Sequence, residues 1–499
     1  MRFSLFLLLF TSIYSFAFGQ SSFNFDLENA GGFKDSRNAL ISDSAAYPPL
    51  IDLVDKNSST TIHPIFEYLY GSDNIDGNIQ RWGIGTQVNY RSKRIDAGFT
   101  FLYNKGEYMN YRKNFIQSRE VIPGFGSYSG NQFFESRYWD GFLAYKPADF
   151  FEAEVGYGRK FIGHGHRSLL MSDFASPYPY LKLQTSFWKL TYTNLFASQS
   201  NTFGTIGNSS LQSQKFTASH YLELQLFNKL RIGVFETVVW QADEGTFFRG
   251  FDPNYLNPVI FYRPVEFSVG SSDNVLIGMN LSYEPNQNHQ FYFQFMLDEF
   301  LLSEMRADVN QELNSEEDIR SGWWGNKYGI QIGWKGNSFF GIENLSARLE
   351  YNLCRPYTYA HSNPTQAYTH NSLPLAHPLG ANFQEGIIQL SYQKKKWKLN
   401  AQYNNSLQGL SFGSLNFGEN PEISNTTRSK EYENFIGQGI AQRNQYVETY
   451  LSRRMKMLWG AELSLGYVWR QSNSEDLTSV NNMIYFGVRT NLFRQTFDF

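Results

Sequence analysis

The sequence predicts an all-β fold: a transmembrane antiparallel outer-membrane barrel of about eighteen strands, preceded by a short helical or looped segment. Three observations predict it. Apolar and polar residues alternate with period two over runs of about ten residues, the length a tilted strand needs to cross a bilayer. The chain is rich in aromatics (45 Phe, 32 Tyr, 10 Trp) while its formal charge is only −3. Residues 1–19 read as an export signal.

Met1 and Arg2 form a short positive start, Phe3 to Phe18 are almost wholly apolar, and Ala17-Phe18-Gly19 supplies small residues at a cleavage site. The mature chain is expected to begin near Gln20. No cysteine stands at that junction, so no lipid anchor is expected, and Cys354, the only cysteine, has no partner for an internal disulfide. No later run reaches the roughly 18 apolar residues of a membrane helix. The balanced charge argues against a nucleic-acid partner. Residues 20–60 mix short apolar groups with Gly, Asp and Pro-Pro and read as a periplasmic or plug segment, leaving 61–499 as the barrel.

The strands follow in order. Trp82, Ile84, Val88 and Tyr90 alternate with Gly83, Gly85, Gln87 and Asn89, and after a short turn Ile95, Ala97, Phe99, Phe101 and Tyr103 continue the pattern. Leu222, Leu224 and Leu226 oppose Glu223 and Gln225; Leu230, Ile232 and Val234 oppose Arg231 and Gly233. Ile388, Leu390 and Tyr392 oppose Gln389 and Ser391, then Lys394-Lys395-Lys396 turns into Trp397, Leu399, Ala401 and Tyr403. Soluble sandwiches also alternate, but their strands are usually nearer five or six residues. Long connections fall at 104–131, 200–216, 241–270, 301–322, 353–385 and 405–441, and the acidic stretch from Ser303 is helix-prone. "NMIYFGVRTNLF" reads as the final strand, and the chain ends in Phe499, resembling a terminal aromatic signal for barrel assembly.

One segment, "GYGRKFIGHGHRSLLMSDFASPYPYLKL" (156–183), concentrates chemistry. His164 and His166 could hold a metal with Asp173 or Asp252 as a further ligand. Ser168, a histidine and Asp173 could supply a hydrolase triad, although no nucleophile elbow surrounds the serine. Glu266, Asp298 and Glu299 could act as a glycosidase pair. Against these stands a structural reading, in which Arg159, His164, His166, Arg167, Asp173, Arg263, Glu266, Asp298 and Glu299 form a buried polar network that braces the barrel. That reading predicts no catalytic residue, no metal and no cofactor. Tyr178 and the loop residues Tyr359, His361 and His370 complete the candidate ligand-binding or lumen set. The loop from Tyr357 to His377 holds three tyrosines and three histidines, a composition suited either to stacking on sugars or to packing its own rings.

The same residues carry a resemblance. Gly158-Arg159, Gly163 to Gly165, Ser168 to Asp173 and Pro177 to Pro179 resemble the central motif of the capsule-assembly Wzi family. Asn257-Pro258, Arg263 to Glu266, Asp273-Asn274 and Asp298 to Phe300 resemble its second block, and "HPLG" at 377–380 a late segment. The likeness spans roughly residues 60–499 and departs at Phe174 and at the His164-Gly165-His166 turn. "YLNPVIFYRP" and "KLTYTNLFASQ" resemble the RemB-type branch linked to gliding motility. The resemblance implies an eighteen-stranded outer-membrane barrel with a lectin-like, non-enzymatic role in retaining surface polysaccharide. Its implied surroundings are outer-membrane lipid and periplasmic or gliding-machinery partners. Two other functions compete: a porin-like channel, which needs an open lumen, and an outer-membrane hydrolase, which needs Ser168, His164 or Glu299. Bulky charged candidates for the inward face (Glu223, Arg231, Lys398) favour a plugged lumen.

Overall fold

The computed structural model describes residues 33–35, 49–202, 212–243, 248–257, 273–299, 301–313, 321–455, 458–475, 477–490 and 496–499. The expected export signal at 1–19 and most of the expected periplasmic or plug segment at 20–60 up to residue 48 lie outside them, as do Arg263 and Glu266.

Among the described residues, eighteen antiparallel strands close into one barrel. In chain order they are β1 (Ser58–Asp73), β2 (Gly77–Ser92), β3 (Ile95–Gly106), β4 (Phe134–Ala148), β5 (Phe151–Gly158), β6 (Tyr178–Phe187), β7 (Leu190–Asn201), β8 (Ser213–Leu226) and β9 (Leu230–Gln241). They continue as β10 (Asn274–Asn286), β11 (His289–Glu299), β12 (Lys327–Gly336), β13 (Leu345–Cys354), β14 (Phe383–Lys394), β15 (Trp397–Leu410), β16 (Ile440–Arg454), β17 (Glu462–Asn473) and β18 (Thr478–Arg489). Each pairs with its neighbour in sequence, and β18 closes on β1 through Met483↔Asp73 to Arg489↔Glu67. Closure leaves no unpaired edge, which a strand in hydrocarbon would not tolerate. The wall begins at Ser58 rather than at residue 61, and Ile51–Val54 adds a short strand against Ser59–Ile62.

Side chains divide as the alternation predicts. Ile84, Leu465 and Ile484 point outward and are 58, 59 and 61% exposed, while Gln87, Glu223 and Arg231 point inward. Outward positions from Phe66 to Phe486 make an apolar coat far larger than a soluble monomer exposes. No helix among the described residues is long and apolar enough to cross a membrane.

The connections sort by end. At one end none is longer than the eight-residue turn 337–344; at the other lie 107–133, 159–177, 202–212, 242–273, 300–326, 355–382 and 411–439. Two of these carry helices, α1 (Asn110–Arg119) and α2 (Leu302–Leu313), the second at the helix-prone acidic stretch. The connection at 159–177 is a further long one, beyond those expected from the sequence.

The end of the chain corrects the sequence reading. The final strand stops at Arg489, so Phe499 is not a strand residue. The described residues 496–499 lie inside the barrel, where the Phe499 ring packs 5.0 Å from Phe115 and 5.6 Å from Phe174.

Candidate functional site

The concentrated segment fills the lumen. After β5 the chain leaves the wall, and Lys160–Ile162 pairs with Phe33–Asp35 instead of with a barrel strand. Two glycines permit the close approach that follows. A Cβ on Gly163, whose φ is +148°, would stand 2.5 Å from Gln294 Nε2, and one on Gly165 would stand 2.5 Å from Glu350 Oε2. Wall side chains then satisfy the plug's backbone. Gln294 accepts from Leu169 N at 2.9 Å and donates to the Ile162 carbonyl at 3.0 Å; Gln331 donates to the Arg167 carbonyl at 3.0 Å. Leu169, Leu170 and Met171 pack with Leu195, Tyr221, Phe235 and Met296 of the wall. The lumen therefore has a hydrophobic core.

At its centre Arg167 is a fork between two carboxylates. Nε and Nη2 donate to Glu385 of β14 at 3.2 and 3.0 Å, and Nη1 donates to Asp498 Oδ1 at 2.9 Å. His166 Nε2 lies 2.9 Å from Asp498 Oδ2. Glu350 of β13 accepts from the backbone amides of His166 (2.6 Å) and Arg167 (3.0 Å), and from the Tyr292 hydroxyl at 2.8 Å. Burial alone would raise the Asp498 carboxyl, but Arg167 and His166 outweigh it and hold it well below the usual carboxylate range.

A second luminal segment, 355–382, locks onto the first. Ser172 N donates to the Leu375 carbonyl at 2.7 Å, and the Tyr359 hydroxyl donates to the Leu169 carbonyl at 2.7 Å. Asp298 accepts from Tyr359 N at 2.8 Å. Lys327 reaches Asp298 at 3.4 Å, Glu299 at 3.1 Å and the Ala360 carbonyl at 3.1 Å. His370 accepts from Ser200 N at Nδ1 (3.1 Å) and lies 3.3 Å from the Pro177 carbonyl at Nε2, which fixes a neutral ring with its proton on Nε2. Burial pushes its pKa down from 6.5 to about 3.

The predicted residues thus separate by role. Arg167 and His166 stand together in the central clasp. Arg159 donates to the Asp173 carbonyl at 2.6 Å and lies over the Tyr138 ring, and His164 is buried elsewhere in the same segment. Tyr178 packs edge-on against His370 at 5.6 Å. His361 accepts from Asn363 N at 3.2 Å, shaping the loop turn. Tyr357, Tyr359 and Tyr368 are all buried, so the loop packs its own rings and presents none of them to a sugar. Ser168 Oγ accepts from Leu170 N at 3.1 Å and Met171 N at 3.2 Å, a hydroxyl used to hold a turn. Asp298 and Glu299 share one lysine rather than flanking an open cleft. Among the described residues, no three His, Cys, Asp or Glu stand close enough to hold a metal.

Sequence reasoning missed Glu350, Glu385, Lys327 and Asp498. Extending the inward parity of Gln389 back along β14 marks Glu385; nothing in sequence marked Asp498. It also missed the outer cap. There the half-buried Trp323 and Trp324 stand 5.8 Å apart, Arg428 lies 4.3 Å over the Trp324 ring, and Tyr357 meets that ring edge-on at 6.4 Å. Arg428 also pairs with the exposed Glu431. Loops 321–326, 355–363 and 411–439 are cross-tied here, with Trp324 N donating to the Glu431 carbonyl at 2.9 Å and Asn434 N to Gly322 at 2.9 Å.

The chain matches no protein-family model and no curated protein sequence. Among solved structures it is similar to Escherichia coli Wzi, an outer-membrane protein involved in group 1 capsule assembly and described as a carbohydrate-binding β-barrel. The TM-score is 0.50 at 11% identity over 85% of this chain and 83% of that one. It is also similar to Pseudomonas aeruginosa OprD (0.42, 8% identity, 89% and 97% covered) and OccK5 (0.42, 10%, 88% and 99%). The fold is that of an outer-membrane β-barrel. Identities this low speak for the fold and leave the site to be argued from its own residues.

The barrel's plug is expected to loosen in acid. His370 is held neutral in the fold but takes a proton near its ordinary pKa once released, so its contribution is present above about pH 6.5 and falls away as the pH drops toward 3. Asp498, held low, contributes with the same sign, losing its effect as the pH falls below its ordinary value of 3.8. Protection factors of the amides in 163–176, taken relative to intrinsic exchange at each pH, should fall between pH 7.5 and about 4. His370→Asn should flatten the upper part of that profile; an unchanged profile would remove His370 from the account.

Proposed function

We propose that this chain is an exported outer-membrane barrel that retains surface polysaccharide at its long-loop cap, without chemical turnover. The filled lumen carries the reading. A channel needs a water path, whereas here Arg167, Glu385, Glu350 and Asp498 interlock inside the bore beside an apolar core. Function then falls to the outer mouth, where Trp323, Trp324, Arg428 and Glu431 combine ring faces with donors and acceptors. Such sets recognise sugars, rings covering CH faces while charged forks take hydroxyls. The fold shared with a carbohydrate-binding barrel supports the same reading. The finer assignment is to the RemB-type branch, with gliding-machinery partners meeting the short-turn face.

The test is a clean deletion strain, scored for polysaccharide bound to cells against polysaccharide shed into medium. Retention predicts a shift into the medium at constant total synthesis, restored by the wild-type gene. Unchanged partitioning overturns the retention reading. Loss of gliding in the same strain, with partitioning intact, would transfer the role to motility. A high-conductance pore in planar bilayers would restore the porin.

A further inference from the structure

The outward coat has a gap on the wall facing lipid. Along β14 the outward positions run Gln384, Gly386, Ile388 and Leu390, and Gly386 sits directly between Tyr351 of β13 and Asn405 of β15. A Cβ added to Gly386 would meet nothing within 4 Å. The missing side chain joins two depressions that share Tyr351, Gly386 and Asn405. One, of about 380 Å³, reaches Gln384, Leu407 and Arg443; the other, of about 530 Å³, runs over Phe291, Ile332, Leu349, Ile388 and Tyr403.

Polarity changes along this groove. β14 begins and β15 ends at the long-loop end, so Gln384, Asn405 and Arg443 lie near that rim while Ile388, Leu349 and Ile332 lie toward the middle of the wall. The polar end is not self-satisfied. Asn405 Oδ1 is buried with no hydrogen-bond partner, and the exposed Arg443 has no ion-pair partner among the described residues. The Tyr351 hydroxyl donates to Gln384 Oε1 at 3.0 Å, fixing one side of the mouth.

The geometry points to a binding site for a phosphorylated glycolipid of the leaflet on the long-loop side. One acyl chain lies over Gly386 along the apolar half, a phosphate meets the Arg443 guanidinium, and the headgroup covers the Asn405 side chain between them. An apolar chain alone would lie against the polar Asn405 and the Arg443 charge, and a neutral headgroup would leave Arg443 unpaired; a phosphate suits the planar guanidinium fork. The site rests on the barrel's lying in a membrane but not on polysaccharide retention.

The full chain is reconstituted into phosphatidylcholine vesicles containing lipid A, phosphatidylglycerol or dephosphorylated lipid A, and retained lipid is read by native mass spectrometry. Lipid A is expected to stay bound to the wild type at least tenfold more than either comparison lipid. Gly386→Trp, which fills the gap, and Arg443→Ala should each abolish that preference, whereas Gly386→Ala should keep it. Heat-modifiable migration on gels verifies that each variant is folded. Equal retention by wild type and Gly386→Trp, or no preference for the phosphate, overturns the site. Vesicle flotation separates the premise: protein that fails to float disproves membrane insertion, while floating protein with unselective retention disproves the site alone.

Discussion

Replacing Arg167 with Ala is expected to unlock the lumen and turn a sealed barrel into a conducting one. The guanidinium is about 1% exposed and stands between Glu385 and Asp498, so its loss leaves two carboxylates in the clasp with only the imidazoles of His377 and His166 beside them. Breaking a buried pair by removing one partner costs about 3–5 kcal/mol, because the remaining charge keeps its desolvation penalty. The wall should survive, since its strands are held by their own backbone ladders; the damage should fall on 159–177 and the terminal tail. Single-channel recordings in planar bilayers should show openings absent from the wild type, together with new protease cuts in the plug. The triple replacement Arg167→Met, Glu385→Leu, Asp498→Leu should restore the seal, since it removes the stranded charges with the cation. Wild-type conductance and protection in the single variant would show that the apolar core holds the plug unaided.

Replacing Trp324 with Ala should weaken polysaccharide retention at the outer mouth by about tenfold, the equivalent of about 1.4 kcal/mol. An aromatic contact contributes about 0.5–1.5 kcal/mol beyond its area, and the Arg428 guanidinium over the ring loses its platform as well. The measurement is binding of purified surface polysaccharide to detergent-solubilised barrel, with Trp397→Ala as control. Trp397 lies on the outward wall at the short-turn end, so its loss should leave binding unchanged. Equal binding by wild type and Trp324→Ala would move the sugar site away from this cap.

The wall was legible in the sequence because each strand declares its two faces locally. Ile84 and Phe99 face out, Gln87 and Glu223 face in, and the parity needs no knowledge of the partner strand. The contents of the bore were legible only by type. His166 and Arg167 read as inward polar groups, but their ligand Glu350 lies more than 180 positions away, and Asp498 more than 330. Alternation fixes which way a side chain points and says nothing of where around the circumference it stands. Arg167 therefore belonged to a bracing network on sequence grounds, while its partners did not. The tyrosines of the 355–382 loop show the converse. Their composition fits a sugar platform as well as a packed core, and only the burial of Tyr359 and Tyr368 decides between them. Trp323 and Trp324 escaped notice because a pair of tryptophans in a long loop has no periodicity to mark it.

Residues 496–499 sit inside the bore that β1 to β18 enclose. Phe499 and Asp498 are cargo of the cylinder they complete, with the Phe499 carbonyl accepting from Arg470 at 3.2 Å and the Phe497 carbonyl from Tyr111 at 2.9 Å. Their partners stand on β15, β17 and the plug, so the latch can seat only once these elements stand together. A chain lacking 496–499 would have a wall without its latch. For the same reason a bulky insertion beside 496–499 would compete with the native residues for the bore, whereas one in the short connection between β17 and β18 would leave the latch alone.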